Sequence, residues 1–142
     1  MILLKRSQAL LAALWAGLLL CVGLVAAPSA FAVLERPMAG LVVAQLFQRE
    51  AMLSLFAAVL LILMERRRAR EGAGSAVTAE VLLPAAALFC TVAGYYALQP
   101  MMAAAKAGQG AWSFMALHSI SLLFFALKGL LVMALAWRLG KC

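Results

Sequence analysis

Four apolar stretches, each about as long as a bilayer core is thick, limit what this chain can fold into. The first runs unbroken from Ala9 to Ala27, nineteen residues without a charge or an amide. An α-helix needs about 20 residues to cross roughly 30 Å of hydrocarbon. Composition closes off the alternative of a water-soluble globule: 68% of the residues are hydrophobic and 12% charged, against about 45–50% and 25% in soluble domains. A small soluble fold buries only about two-thirds of its chain's surface, so the remainder would lie open as aggregating apolar patches. The expectation is an all-α membrane protein, an antiparallel bundle of four transmembrane helices forming a single domain over residues 1–142.

The helices are expected at about 8–27, 38–64, 80–99 and 111–137. Lys5-Arg6, the apolar run and Ala30-Phe31-Ala32 imitate a secretory signal, but the run exceeds the usual 7–15 residues of a signal core, so it reads as a retained first helix. Pro37 suits the first turn of the second helix, where no hydrogen-bond donor is lost. Arg49-Glu50 interrupts that apolar run. A helix begun after the pair would reach only about 21 Å, so both charges must lie within the span. Pro100 is expected to close the third helix. The segment 65–79, beginning Glu65-Arg66-Arg67-Arg68-Ala69-Arg70, is the one aqueous connection and is expected to be a basic loop. Ala13, Gly17 and Cys21, and likewise Ala86, Cys90 and Gly94, recur every fourth residue and are expected to let helices approach closely.

Lys and Arg outside the spans are unevenly shared. Lys5, Arg6, Arg66, Arg67, Arg68, Arg70, Arg138 and Lys141 fall on one side, and Arg36 and Lys106 on the other. The excess of positive charge predicts that side to be cytoplasmic, with both termini inside. Arg66, Arg67, Arg68 and Arg70 are candidates for anionic lipid headgroups, each adding about 1 kcal/mol at the inner leaflet. The net charge of +7 is therefore an orientation signal and not a nucleic-acid surface. The cysteines, Cys21, Cys90 and Cys142, lack the spacing of a disulfide framework or a zinc site. No metal and no cofactor is expected.

A charge at bilayer depth costs several kcal/mol and persists only when paired, hydrated or useful. Counted at about 1.5 Å per residue from the terminal side, Glu50 lies roughly 22 Å and Lys128 roughly 15 Å into the membrane, within reach of each other through the lysine stem. They are expected to couple across the interface of the second and fourth helices. His118, Ser121 and Lys128 share a helix face, as do Thr91, Tyr95 and Gln99. With Gln45, Arg49 and Glu50 they can form a polar interior track. Two uses are open: a structural ion pair with hydrogen-bonding polar groups, or a transport, proton-relay or ligand path. A single histidine, no aspartate and no accessible pair of carboxylates argue against a soluble-type enzyme, and no catalytic residue stands out.

Three short motifs carry a family resemblance. Leu34-Glu35-Arg36 with Ala39-Gly40-Leu41-Val42 and Leu46-Phe47, then Leu98-Gln99-Pro100, then Leu117-His118-Ser119-Ile120-Ser121 appear in order over nearly the whole chain. The set resembles the transmembrane-protein-205-like family, the bacterial domain of unknown function 4149. A more distant likeness is to copper-resistance D-type four-helix proteins, which would imply metal or haem chemistry, although this chain has a single histidine. The resemblance implies a four-helix protein of the bacterial inner membrane whose activity is uncharacterised. The resulting expectation is a non-enzymatic accessory or partner-binding component. Its partners would be the lipid bilayer and a membrane protein or a second copy, with no nucleic acid. The alternative is a small transporter-like or metal- or haem-handling protein using Glu50, Lys128 and His118.

Overall fold

A computed structural model describes residues 1–72 and 74–141; Ala73 and Cys142 lie outside the described residues. Four helices are long and apolar enough to cross a membrane: α1 (Ile2–Val33), α2 (Arg36–Glu71), α3 (Ala79–Lys106) and α4 (Phe114–Gly140). Among the described residues there is no strand. Leu10, Leu14, Leu24, Leu53, Phe56, Leu63, Phe89, Leu123 and Leu130 all face outward, as a bundle dissolved in lipid requires and a soluble one forbids.

The helices run longer than the apolar runs. The basic stretch Glu65–Glu71, expected in a loop, continues α2 as helix. Neither Ala27 nor Gln99 ends its helix: α1 goes on through Pro28 to Val33, and α3 through Pro100 to Lys106. Proline lacks the N–H that holds a turn, and its ring collides with the carbonyl four residues back. Each helix answers by widening just ahead of its proline, with a turn of π-helix at Cys21–Ala26 in α1 and at Val92–Ala97 in α3. Such a bulge changes the backbone pairing without ending the helix. At the start of α4, the Ser113 hydroxyl caps the first turn by accepting the Ala116 N–H at 3.2 Å.

In cross-section the bundle is a square. α1 packs on α2 and α4, α3 packs on the same two, and the pairs α1/α3 and α2/α4 are diagonals. Both chain termini share one end, where Gln8 of α1 meets Glu65 of α2 and Arg138 of α4 meets Glu80 of α3. That terminal half holds the main core: Ala12, Trp15, Ala16 and Leu19 of α1 with Ala58 and Leu61 of α2, Ala87 of α3, and Val132, Leu135 and Leu139 of α4.

The distal half is built differently. There the end of α1 stays on α2 and the end of α3 stays on α4 around Leu98, Met102 and Leu117. Among the described residues, Leu98–Lys106 makes no sustained backbone approach to α2, nor Ala27–Val33 to α4. Two hairpins therefore part like the arms of a V, joined over the terminal half.

Small residues admit neighbours only where the bundle faces inward. Cys90 and Gly94 are buried on α3, as the spacing suggested. Ala13, Gly17 and Cys21, by contrast, lie on the exposed side of α1, and the packed stripe is Gln8, Ala12, Trp15, Leu19 and Val22. Gly23 and Gly94, one in each π turn, receive the adjacent rings Phe125 and Phe124 of α4. A Cβ at Gly94 would run into Phe124 from its Cβ outward. Gly94→Ala is therefore expected to destabilise the protein by about 1–3 kcal/mol through overpacking. Gly17→Ala, with open space around it, is expected to be neutral or slightly stabilising. Thermal unfolding of both variants in detergent measures the contrast; equal stabilities would contradict this packing.

Candidate functional site

At the point where the two hairpins meet, Lys128 of α4 donates from Nζ to Oε1 of Glu50 on α2 at 2.6 Å. The side chains are 3% and 1% exposed. α2 and α4 are not neighbours, so the pair lies on the diagonal and ties opposite corners of the square. The sequence pointed to the right partners, but they meet across the bundle's centre and not along a shared helix interface.

Ser54, one turn further along α2, donates its hydroxyl to the same Glu50 oxygen and in turn accepts the Trp15 indole N–H at 2.9 Å. The chain Trp15, Ser54, Glu50, Lys128 thus links α1, α2 and α4 through polar contacts alone. The Lys128 ammonium also lies 5.2 Å from the centre of the Phe125 ring, which makes an edge contact with Phe47 at 5.2 Å between centroids. Aromatic contacts therefore repeat the same diagonal link. Ser54 was legible in principle, since i, i+4 from Glu50 puts it on the same face of the helix.

Above this pair the V opens into a cleft of about 530 Å³. Its two walls differ in chemistry. The first hairpin contributes Phe31, Gly40, Val43, Ala44 and Phe47, all apolar, above Glu50. The second hairpin sets Tyr95, Gln99, Lys106, His118, Ser121 and Lys128 among apolar neighbours such as Met102, Phe114, Leu122 and Phe125, so the polar groups of the cleft above Glu50 all come from this wall. Of the residues expected to form a polar track, Glu50, Tyr95, Gln99, His118, Ser121 and Lys128 do come together around this space.

The rest do not. Gln45 and Arg49 lie on the exposed side of α2, because at 100° per residue Arg49 is turned a quarter of the way round from Glu50. Thr91 is buried and donates to the Ala87 carbonyl at 3.0 Å within its own helix, outside the cleft. Ser121 donates at 2.8 Å to the carbonyl of Gly94. At the end of the same π turn the Leu98 N–H bonds to the Tyr95 carbonyl. Among the described residues the side chains of Tyr95, Gln99 and His118 make no hydrogen bond to protein. At the mouth His118 stacks on Phe114, with centroids 5.7 Å apart, and the Lys106 ammonium lies 4.9 Å from the centre of that ring.

A second polar cluster, unforeseen from the sequence, closes the opposite end. Buried Glu65 accepts from Gln8 at 2.9 Å, from Thr78 at 3.2 Å and from the Arg68 guanidinium. Arg68 is thereby drawn inward, while Arg67 pairs with Glu71 at 3.0 Å on the exposed side and Arg66 and Arg70 border a small hollow of about 110 Å³. Of the four expected headgroup ligands, Arg67 and Arg68 are already paired with carboxylates of the protein. Among the described residues no three His, Cys, Asp or Glu side chains gather as metal ligands would.

Fold and site define a class: multi-pass four-helix membrane proteins with a diagonal ion pair at the base of a half-open cleft. The family described as "Domain of unknown function (DUF4149)" matches residues 10–111, more than half of the chain, and the protein belongs to that family. The match spans most of α1, all of α2 and α3, and stops before α4. No curated protein and no solved structure matches the chain.

Breaking a buried pair strands a charge and costs about 3–5 kcal/mol, whereas replacing both partners by fitting neutral groups can be nearly free. Glu50→Gln and Lys128→Met are each expected to destabilise the detergent-solubilised protein by an amount of that order, and the double variant to recover much of the loss. A double-mutant cycle from thermal or denaturant unfolding tests this. Additive losses would mean that the two groups are not coupled.

Proposed function

We propose that this is a non-enzymatic protein of the bacterial inner membrane, with both termini in the cytoplasm, that acts by holding an amphipathic guest in its distal cleft. The observation that carries the reading is the cleft's two-faced lining. Three polar side chains without protein partners, Tyr95, Gln99 and His118, oppose a wall of Phe31, Val43, Ala44 and Phe47. Its volume, about 530 Å³, falls within the roughly 300–1,000 Å³ usual for small-molecule sites, which combine apolar walls with a few convergent polar groups. Nothing in this arrangement resembles paired acid–base or nucleophile machinery. The resemblance to the transmembrane-protein-205-like family is in keeping with this reading.

The orientation rests on charge. Lys5, Arg6, Arg66, Arg67, Arg68, Arg70, Arg138 and Lys141 belong to the end that carries the termini, and Arg36 and Lys106 to the other, which the positive-inside rule places cytoplasmic and external respectively. In a background lacking the native cysteines, Gln109→Cys is expected to react with an impermeant thiol reagent in intact cells and Ser75→Cys only after permeabilisation. The reverse pattern would invert the protein.

A second reading, transport of a guest or ion, is favoured by one observation. The cleft opens at one end only, with the Glu65 cluster and the main core sealing the other, as expected for one state of an alternating-access cycle. The guest-holding reading is tested with hexadecanol bearing a photoreactive diazirine, on protein in phosphatidylcholine nanodiscs. Peptides lining the cleft around Ala44 and Ala103 should label in preference to the outward face around Leu130, and Ala44→Trp should abolish that preference. Equal labelling of every lipid-facing surface would overturn the reading.

A further inference from the structure

The cleft's charge is not balanced along its depth. At the base, Glu50 and Lys128 neutralise each other at 2.6 Å, and Ser54 adds a second donor to the same carboxylate oxygen. Phe47 and Phe125 meet beside the pair. The deep end therefore offers neither a surplus charge nor an open carboxylate to a guest.

The mouth is the opposite. Lys106 and His118 both contact Phe114 there, and Lys106 makes no ion pair among the described residues. The lining includes a single acid, Glu50, and it lies at the base, held by Lys128. The Phe114 ring fixes the Lys106 ammonium without neutralising it, since a cation–π contact at an exposed site contributes only about 0.5–1 kcal/mol. The unanswered charge of the cleft is thus positive and confined to its rim.

Dimensions give the rest of the guest. His118 precedes Lys128 by ten residues on one straight helix, a rise of about 15 Å. That is half of the roughly 30 Å hydrocarbon core and so the depth of one lipid leaflet. Below the rim the wall formed by Phe31, Val43, Ala44 and Phe47 has no polar side chain to leave unsatisfied against a hydrocarbon chain. Because Leu98–Lys106 stands away from α2, the space is open sideways, and a molecule already dissolved in the bilayer can enter without crossing water.

We propose that the cleft receives one single-chain anionic amphiphile, its carboxylate or phosphate head at Lys106 and His118 and its chain running down the apolar wall to Phe47 and Phe125. This deepens the guest-holding reading and rests on it. A cationic head would meet like charge at Lys106. A neutral head would gain hydrogen bonds but forgo the charge-assisted ones, which are about twice as strong. Tyr95 and Gln99, on the polar wall below the rim, would steady the first atoms of the guest beneath its head.

The test uses the full chain in phosphatidylcholine nanodiscs at neutral pH with three hexadecyl probes of equal length: the phosphate, the alcohol and the trimethylammonium. Each is made with a diazirine near the head or near the terminal methyl. The phosphate is expected to label the cleft at lower concentration than the other two, by about tenfold, the head-proximal version reaching the rim around Ala103 and Met115 and the tail version the base around Phe47 and Cys90. Lys106→Gln should cost the phosphate about tenfold and leave the alcohol unchanged, while Lys106→Arg should retain the wild-type preference. Lys106 is exposed and bonds to no core group, so these variants are expected to fold, and unaltered thermal unfolding checks that. Equal labelling by phosphate and alcohol, a reversed head-to-tail pattern, or indifference to Lys106→Gln would each overturn the anionic assignment while leaving the cleft a guest site. If none of the three probes favours the cleft over the face around Leu130, the guest-holding reading itself fails.

Discussion

A lysine and a glutamate that meet almost wholly buried at the base of the cleft organise this molecule. In hydrocarbon a lone charge has no solvent to fall back on, so Glu50 and Lys128 are tolerable only together. Their positions on α2 and α4, opposite corners of the square, make the contact a brace across the whole section. Three helices meet at that point, α1 through Trp15 to Ser54 and α2 and α4 through the pair itself, while α3 packs on α4 where Phe124 lies against Gly94. Such a pair adds little net stability of itself, because replacing both partners by well-fitted neutral groups is often nearly free.

The brace also explains why the bundle can open above it. Helices in lipid gain nothing from simple apolar burial and associate through close packing and polar contacts. In the terminal half both exist, with Ala12, Ala16, Ala58 and Ala87 allowing near approach and Glu65 collecting three donors. Above Glu50 the first hairpin presents bulky Phe31, Val43 and Phe47 towards the second, with no polar partner for Tyr95, Gln99 or His118. Beyond the Phe47–Phe125 contact nothing there draws the hairpins together, and they separate.

These features differ in how far the sequence discloses them. The four spans follow from apolar length alone, and the ion pair follows from cost, since two buried charges of opposite sign at similar depth leave few other outcomes. Which face of a helix turns inward is another matter. In α1 every residue from Ala9 to Ala27 is apolar, so no polar stripe marks the outside, and Ala13, Gly17 and Cys21 look as fit for packing as Ala12, Ala16 and Leu19. Arg49 and Glu50 are adjacent, and only the neighbouring helices decide which is buried. Pro28 and Pro100 mark local disturbance, but whether a proline ends a helix or is absorbed by a π turn depends on packing beyond it. The cleft is still less legible, being a gap between hairpins that no single segment encodes.

The brace has a consequence for how the protein is made. Glu50 and Lys128 lie 78 residues apart in the chain, and ribosomes add about 5–20 residues per second. For roughly 4–16 s of synthesis the acid exists without its base. During that interval α1 and α2 can form their hairpin, with Ser54 and Trp15 already beside the carboxylate, but no cation has arrived to hold it at depth. The first three helices thus enter the membrane as an unfinished assembly, and insertion of the last one is the step that commits all four to a common structure.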